Sequence, residues 1–224
     1  IRTYIKGMSN GDEFLSPMDY KTIPEKRKTV SDSTYKLIYE NVFEPWYLRQ
    51  LMNDEGYWDH QDLTRIALEH ELFFVRYPAI FCDESQDFTR IELELIYRLS
   101  EFSSISLTHQ EMQRVPLVFA GDPFQTLNPT GFKWETVKDL FNETILASLD
   151  PTSKGRLEFN YWPLTYNYRS SGFIVNFCNY ILLCRSILFN EREVKAQQTW
   201  GENTADYAQY LNLNEAWVKD KLLE

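Results

Sequence analysis

Cysteine and histidine are scarce in this chain, and neither is spaced for a metal centre. The 224 residues include three cysteines and three histidines, without a Cys-x-x-Cys pair or a histidine at ligand spacing, which argues against a zinc site. The cysteines are Cys82, Cys178 and Cys184, an odd number in apolar surroundings. This pattern predicts reduced core thiols in a cytoplasmic protein rather than a disulfide framework.

Long apolar runs and an excess of positive charge are missing as well. No apolar run approaches the length of a membrane span, so no membrane partner is expected. The formal net charge is −10, which argues against a general polyanion-binding surface because phosphate contacts need clustered Lys and Arg. Any nucleic acid would therefore have to bind in a local groove or with help from another protein segment.

The chain also lacks the glycine-lysine pair that a phosphate-binding loop needs. The chain has eight glycines and none precedes a lysine, so the pattern G-x-x-x-x-G-K-[ST], whose backbone N–H groups and Lys hold phosphates, does not occur. Gly131-Phe132-Lys133 comes nearest, but it interposes an aromatic residue and has no Ser or Thr after the lysine.

The chain does contain a short apolar run that stops at two acids. Ala79 to Cys82 follows Pro78 and suits a strand buried on both faces of a parallel sheet. Asp83 and Glu84 would lie just past its carboxyl end, where open α/β sheets bind ligands. Paired acids there suit Mg-nucleotide hydrolysis, in which one holds hydrated metal and the other activates water. The alternative is that they merely end a strand and open a turn.

A second buried strand with a similar end follows. Thr89 to Glu92 fits a capping box that opens an amphipathic helix. Val115 to Ala120 is the next apolar run, and it ends in Gly121-Asp122-Pro123-Phe124-Gln125. Strand, helix and strand predict a βαβ unit whose polar ends lie on one edge.

Helical spacing predicts further helices on both sides of this unit. One runs from Ser31 to about Met52, and Pro45 is expected to kink or divide it. Asp59 is a candidate N-cap for a helix toward His70. Another amphipathic helix is predicted from Trp134 to Ile145.

The last third of the chain predicts a third strand and a long helix. Residues 150–157 form a candidate linker, followed by a strand from Trp162 to Tyr166. Ser171 is expected to cap the helix. The residues expected to face inward on it are Ile174, Phe177, Cys178, Ile181, Cys184 and Leu188.

Taken in order, these motifs resemble those of the UvrD/Rep-like superfamily 1A DNA helicases. Asp83-Glu84-Ser85-Gln86-Asp87 is similar to their motif II, Gly121-Asp122-Pro123-Phe124-Gln125 to motif III, and Asn167-Tyr168-Arg169-Ser170-Ser171 to motif IV. Trp58 to Leu63 resembles the Asp-rich stretch before motif II. The resemblance covers roughly residues 57 to 201, and three motifs in the right order on the right elements are specific.

The resemblance implies an α/β fold of the RecA-like P-loop NTPase class, with a parallel sheet flanked by helices, a helical N-terminal segment and incomplete motor domains. Residues 1–56 would belong to the insertion subdomain 1B, 57–150 to the first motor subdomain 1A with motifs II and III, and 158–224 to the start of the second motor subdomain 2A with motif IV. The chain would be an internal fragment of a longer helicase, inactive alone because its phosphate loop lies upstream.

The resemblance also implies the cofactors and partners. The cofactors would be ATP and Mg²⁺, with Asp83 binding the metal through water, Glu84 acting as general base and Gln86 belonging to the cofactor site. The partners would be single-stranded or partly duplex DNA and the remainder of the helicase chain.

Three further roles follow from the same resemblance. Gln125 would sense the γ-phosphate and couple it to DNA movement, Arg169 would contact the γ-phosphate from the second motor subdomain, and Tyr168 would stack on adenine. Family members place base-stacking aromatics soon after the residue equivalent to Gln125. Here Phe132 and Trp134 come later, so DNA stacking and core packing both stay open for them.

Two other functions are compatible with the sequence. A degenerate helicase-like module without ATPase activity would serve as a protein-interaction or regulatory scaffold. A metal-dependent nuclease would use Asp83, Glu84 and Asp87, but it lacks the further acid or Lys at motif spacing that such a site needs.

Overall fold

Residue contacts divide the chain into two units, Ile1–Phe159 and Asn160–Glu224. The structure is a computed structural model that describes residues 1–8, 14–25, 28–49, 58–103, 115–126, 130–146, 159–189 and 195–200. The boundary between the units follows the predicted linker at 150–157, which itself lies outside the described residues. The segments 104–114 and 201–224 lie outside them too.

The N-terminal part of the first unit is helical. Its elements are a π-helical turn Arg2–Lys6, α1 Pro17–Thr22, α2 Asp32–Ile38 and a π-helical stretch Tyr39–Tyr47. The hydroxyls of Ser16 and Ser31 accept hydrogen bonds from the backbone N–H groups of Asp19 and Thr34, and these caps start α1 and α2.

Aromatic rings form the core of this helical part. The rings of Tyr20 and Tyr35 stack with centroids 3.8 Å apart, and Tyr4 meets Tyr20 edge to face at 5.1 Å. Tyr20 on α1 and Tyr35 on α2 therefore join the two helices, and aromatic side chains remove large areas from water when they are buried. The buried members are Tyr4, Ile5, Tyr20, Tyr35 and Phe43.

Pro45 does not divide the helix that the sequence predicted around it. The proline lies inside the π-helical stretch Tyr39–Tyr47, and α-helical winding changes to π-helical winding at Tyr39. A proline lacks the N–H that helical hydrogen bonding uses. The chain therefore carries it in a differently wound helix rather than at a break.

A buried lysine joins the N-terminal turn to the next helix, α3 His60–Glu69. Lys6 is 1% exposed, and its Nζ lies 2.6 Å from Asp62 Oδ2, 2.7 Å from Asp59 Oδ2 and 2.8 Å from the Tyr47 hydroxyl. Asp59 caps α3 by accepting hydrogen bonds from Gln61 and Asp62, which confirms the predicted N-cap.

The rest of the first unit contains the predicted strand, helix and strand. The strands β1 Ile80–Cys82 and β2 Leu117–Phe119 pair in parallel, with Ile80 opposite Leu117 and Cys82 opposite Phe119. The helix α4 Arg90–Arg98 connects them in sequence and starts with the predicted Thr89–Glu92 capping box. The mixed architecture of helices and parallel strands is therefore confirmed.

A second core lies under these strands. It involves α4, α5 Trp134–Leu140 and a π-helical turn Phe141–Leu146. Tyr97 is fully buried, and its hydroxyl donates a hydrogen bond to the carbonyl oxygen of Val137 over 2.8 Å. The buried members are Leu93, Tyr97, Val137, Leu140, Phe141, Ile145 and Leu146.

One face of the strand pair is open, which corrects the prediction of burial on both faces. Phe81 and Val118 lie opposite each other in the register and are 73% and 48% exposed. Successive side chains of a strand point to opposite faces, and Leu117 and Phe119 pack on the second core from the other face. No described residue covers the face that carries Phe81.

The second unit contains a short parallel pair and one long helix in its described residues. The strands are β3 Tyr166–Asn167 and β4 Gln198–Thr199, and the helix is α6 Gly172–Phe189. The third strand thus begins at the residue where the prediction ended it. Asn179 on α6 fixes the backbone of Gln197, the residue before β4. Its Oδ1 accepts the Gln197 N–H at 2.9 Å, and its Nδ2 donates to Gln197 O at 2.8 Å.

Two predictions about α6 are corrected. The Ser171 hydroxyl is buried without a hydrogen-bond partner among the described residues, so it does not cap the helix. Apolar residues surround α6 on several sides, and Val175 is its buried apolar side chain in the part described. Of the six residues expected to face inward, Cys184 is half-buried. The other five are exposed, namely Ile174, Phe177, Cys178, Ile181 and Leu188.

No helix within the described ranges is long and apolar enough to cross a membrane.

Candidate functional site

The parallel pairing brings the two polar strand ends side by side. Beyond β1 and β2, the Ala120 N–H donates to Cys82 O over 2.8 Å, and the Ser85 N–H donates to Ala120 O over 2.8 Å. These backbone hydrogen bonds extend the pairing past the strands. The segments Asp83-Glu84 and Gly121-Asp122 therefore lie at the same edge of the first unit, as the βαβ prediction required.

Glu84 adopts a left-handed backbone conformation, with φ 50° and ψ 39°. Such a conformation costs a residue with a side chain about 1–3 kcal/mol and persists only when its surroundings hold it. Asp83 contributes to that hold, since its Oδ1 accepts the Glu84 N–H at 2.9 Å. Both acids are exposed, so their carboxylates are accessible to a ligand.

The buried side chain of Gln86 forms hydrogen bonds with both strand ends. The residue is 2% exposed. Its Nε2 donates to Glu84 Oε2 over 2.7 Å, and its Oε1 accepts the Asp122 N–H over 3.0 Å. Both ends of the amide are thus occupied by protein atoms, and the geometry favours a supporting position over the cofactor contact expected from the resemblance.

Gly121 makes this close approach possible. A Cβ added at Gly121 would lie 2.5 Å from Gln86 Oε1 and 3.0 Å from Ser85 N. The first distance is shorter than van der Waals contact permits, so a side chain at this position would displace the Gln86 amide. The close packing of the Gln86 amide therefore favours glycine at this position.

Asp122 holds the turn that carries Gln125. Its Oδ1 accepts the Phe124 N–H at 2.9 Å, and its Oδ2 accepts Gln125 Nε2 at 3.0 Å. Gln125 is exposed at the same edge as Glu84. The sequence analysis gave Asp122 no role of its own, although an Asp before Pro-Phe-Gln is typical of a capping residue.

The acids at this edge fit a metal bound through water. Mg²⁺ keeps several waters and takes one or two carboxylates together with substrate phosphates, and Asp83 can supply such a carboxylate. Within the described ranges, no group of three or more His, Cys, Asp or Glu is close enough to hold a metal ion. Asp83, Glu84 and Asp87 therefore do not form the cluster that the nuclease alternative requires.

In the second unit, Asn167 positions Tyr168 and Arg169. Its Oδ1 accepts the N–H groups of Arg169 at 3.0 Å and Ser170 at 2.8 Å, while its Nδ2 donates to Gln197 Oε1 at 3.0 Å. The turn after β3 is thus tied to the segment before β4. The side chains of Tyr168 and Arg169 are left exposed.

Trp200 is a candidate residue that the sequence analysis missed. Its ring lies 5.0 Å from that of Tyr168 and 5.6 Å from that of Tyr166, measured between centroids. The backbone N–H of Trp200 donates to the backbone carbonyl oxygen of Asn167 over 3.1 Å. Tyr168 and Trp200 are 68% and 65% exposed, so together they offer an aromatic surface. The pairing of β4 with β3, which places Trp200 there, has no local sequence pattern.

Phe132 and Trp134 pack on the second core and are not fully exposed to solvent. Their rings meet edge to face at 5.1 Å, and both are partly buried against that core. Core packing was one of the two alternatives for them. A contact with DNA stays a prediction.

Comparison of the chain with models of known protein families found no match, and neither did comparison with curated protein sequences.

Proposed function

We propose that the chain is part of an ATP-dependent DNA helicase or translocase, similar to the UvrD/Rep-like superfamily 1A, that couples Mg-ATP hydrolysis to movement on single-stranded DNA. The observation that carries this proposal is the pairing of β1 with β2. It places Asp83 and Glu84 beside the Asp122–Gln125 turn at the carboxyl ends of parallel strands, where α/β sheets bind ligands. We also propose that the parallel strands are part of a RecA-like sheet.

In this proposal three residues of the first unit have separate tasks. Asp83 would hold a hydrated Mg²⁺, and the charge of that ion would offset the charge of the ATP phosphates. Glu84 would orient the attacking water and accept its proton. Gln125 would contact the γ-phosphate through its side-chain amide, whose orientation is set by the hydrogen bond to Asp122.

In the second unit, the resemblance to motif IV gives Tyr168 and Arg169 their own proposed contacts with a nucleotide. Arg169 would provide positive charge to the transferred phosphoryl group, a task that suits a guanidinium. Tyr168 would stack on the adenine, with Trp200 beside it. The Asn167 hydrogen bonds support these assignments because they position the turn and leave both side chains exposed.

We further propose that the remainder of a longer helicase chain supplies the phosphate loop. The 224 residues contain no Gly-Lys pair. Two open apolar surfaces support a larger assembly: the sheet face of Phe81 and Val118, and the exposed sides of α6. Parallel sheets are ordinarily covered on both faces.

ATP turnover tests the proposal. The full-length polypeptide that contains this chain is expected to hydrolyse ATP with Mg²⁺, faster with single-stranded DNA, while residues 1–224 alone are expected to be inactive. Mg-dependent turnover by residues 1–224 alone would contradict the assignment of the phosphate loop to another segment. DNA cleavage with Mg²⁺ and without ATP would favour a nuclease instead.

The absence of a Gly-Lys pair favours one second candidate, a helicase-like scaffold without ATPase activity that binds other proteins. Its expected result is different. The full-length polypeptide would neither bind nor hydrolyse ATP, and substitution of Glu84 or Gln125 would leave its protein contacts unchanged.

A further inference from the structure

We infer that Gln86 is a positioning residue that couples the Glu84 carboxylate to the Asp122–Gln125 turn, so that the two sides of the site move together. The inference rests on the proposed function for its catalytic consequence. The coupling itself rests only on geometry.

The Gln86 amide is the one described side chain that bonds to both strand ends. Its donor end meets Glu84 Oε2 at 2.7 Å, and its acceptor end meets the Asp122 N–H at 3.0 Å. Since an amide group is planar and rigid, a shift of the backbone at Asp122 must either break one of these two hydrogen bonds or carry the Glu84 carboxylate along. Gln86 is 2% exposed, and loss of a hydrogen bond at a buried amide is costly.

The backbone around Gln86 is fixed independently. The Thr130 hydroxyl, itself on a 3% exposed residue, donates to Gln86 O over 2.7 Å. Gly121 lies so close that an added Cβ would sit 2.5 Å from Gln86 Oε1. The backbone of Gln86 is therefore anchored at Thr130, and its side chain is held by the hydrogen bonds to Glu84 and Asp122.

The consequence concerns Gln125, which is held by the Oδ2 of Asp122. A ligand that draws Gln125 toward itself would move Asp122 and, through Gln86, the Glu84 carboxylate. The acid would therefore reach its working position only when Gln125 is engaged. Gln86 would act without touching the ligand.

Hydrogen exchange of the Asp122 amide measures the coupling directly in the full-length polypeptide. Gln86→Met keeps the length of the side chain but removes both hydrogen bonds, and exchange at Asp122 is expected to rise about tenfold, as for loss of one buried hydrogen bond. The matched control is Gln61→Met. Gln61 is also 2% exposed, but its amide atoms have no hydrogen-bond partner among the described residues. Exchange at Asp122 should not change in this control.

Gln86→Glu separates the two hydrogen bonds. At a pH high enough to ionise both carboxylates, the new carboxylate still accepts the Asp122 N–H, so exchange there is expected to stay slow, but it repels Glu84 instead of donating to it. In ATP turnover, Gln86→Met and Gln86→Glu are both expected to lower kcat about tenfold or more, with KM for ATP within about twofold of the wild type, as for loss of an oriented catalytic group.

Two results would overturn the inference: wild-type exchange at Asp122 in Gln86→Met, or a loss of kcat that Gln61→Met reproduces. A full-length polypeptide without any ATP turnover contradicts the proposed function but not the coupling, because hydrogen exchange decides the coupling without ATP.

Discussion

The side-chain amide of Gln86 donates a 2.7 Å hydrogen bond to the carboxylate of Glu84, a residue with a left-handed backbone. A buried neutral donor thus supports an exposed acid whose own backbone conformation is unfavourable. The arrangement keeps the Glu84 carboxylate at the edge of the strands, beside Gln125. It explains how a strained residue persists at this point of the chain.

The strain at Glu84 can be measured against a second residue with the same conformation. Glu71 has a φ of 48°, close to the 50° of Glu84, and it lies outside the site. We expect Glu71→Gly to raise the free energy of unfolding by about 1 kcal/mol, because glycine adopts this conformation without strain.

Glu84→Gly should raise the free energy of unfolding less than Glu71→Gly does, because it leaves the Gln86 amide without its acceptor. The expected difference between the two variants is about 1 kcal/mol. Chemical denaturation measures both variants. Equal effects in the two variants would show that the hydrogen bond between Glu84 and Gln86 contributes nothing.

The buried Lys6 predicts a large difference between two lysine substitutions. Lys6→Met is expected to lower the free energy of unfolding by about 3 kcal/mol, because it leaves Asp62 buried without its partner. Lys36→Met removes an exposed pair with Glu40, and about 0.5 kcal/mol or less is expected. Urea denaturation of both variants tests this. Equal losses would contradict a structural role for the Lys6 cluster.

The same cluster predicts the dependence of stability on pH. Burial opposes ionisation of Asp59, but hydrogen bonds from Lys6 and from the Asp62 backbone lower its pKa from 3.8 to about 2. A lowered pKa in the folded state stabilises the protein above the ordinary pKa, and the contribution disappears as pH falls through the folded value. The loss is therefore expected between about pH 4 and pH 2.

Asp59→Asn is the matched variant for this pH dependence, because asparagine still caps α3 but carries no charge. The difference in unfolding free energy between wild type and Asp59→Asn should be constant from about pH 5 to about pH 10 and shrink toward pH 2. For Lys6, burial opposes the charge but hydrogen bonds to Asp59, Asp62 and Tyr47 raise its pKa above 10.5. The stabilisation by charged Lys6 is therefore present below pH 10.5 and is lost as the pH rises through the raised pKa. A difference that does not change with pH would contradict this account.

Patterns local in sequence predicted several elements of the first unit. Two apolar runs ending at acids gave β1 and β2, and capping residues gave the starts of α3 and α4, because each signal depends on residues a few positions apart. The paired strand ends could be inferred as well, since a βαβ connection places them on one edge.

The contacts that shape the site were less predictable. Gln86 meets Asp122 across 36 positions in sequence, and Trp200 meets Tyr168 through the pairing of β4 with β3. No local pattern encodes such contacts. Exposure of Phe81 and of α6 was also missed, because apolar composition indicates that a surface needs cover but not whether the same chain supplies it.

Tyr168 and Trp200 are expected to contribute to nucleotide affinity together. Tyr168→Ala and Trp200→Ala should each weaken ATP binding to the full-length polypeptide about fivefold or more, since stacking on a base is worth about 1–3 kcal/mol. Trp162→Ala is the control, because Trp162 is 83% exposed and lies outside the aromatic pair. Titration with a fluorescent ATP analogue measures all three. Equal weakening by Trp162→Ala would remove the case for an aromatic base site.

The most direct measurement of the central claim compares ATP binding and ATP turnover in the full-length polypeptide with Glu84→Gln. The substitution keeps an acceptor for the Gln86 amide and removes the proton acceptor. We expect Mg-ATP affinity within about threefold of the wild type and a fall in kcat of about 10²-fold or more, as for loss of a general base. Wild-type turnover in Glu84→Gln, with or without a loss of affinity, would contradict the assignment of Glu84 and the ATP site built around it.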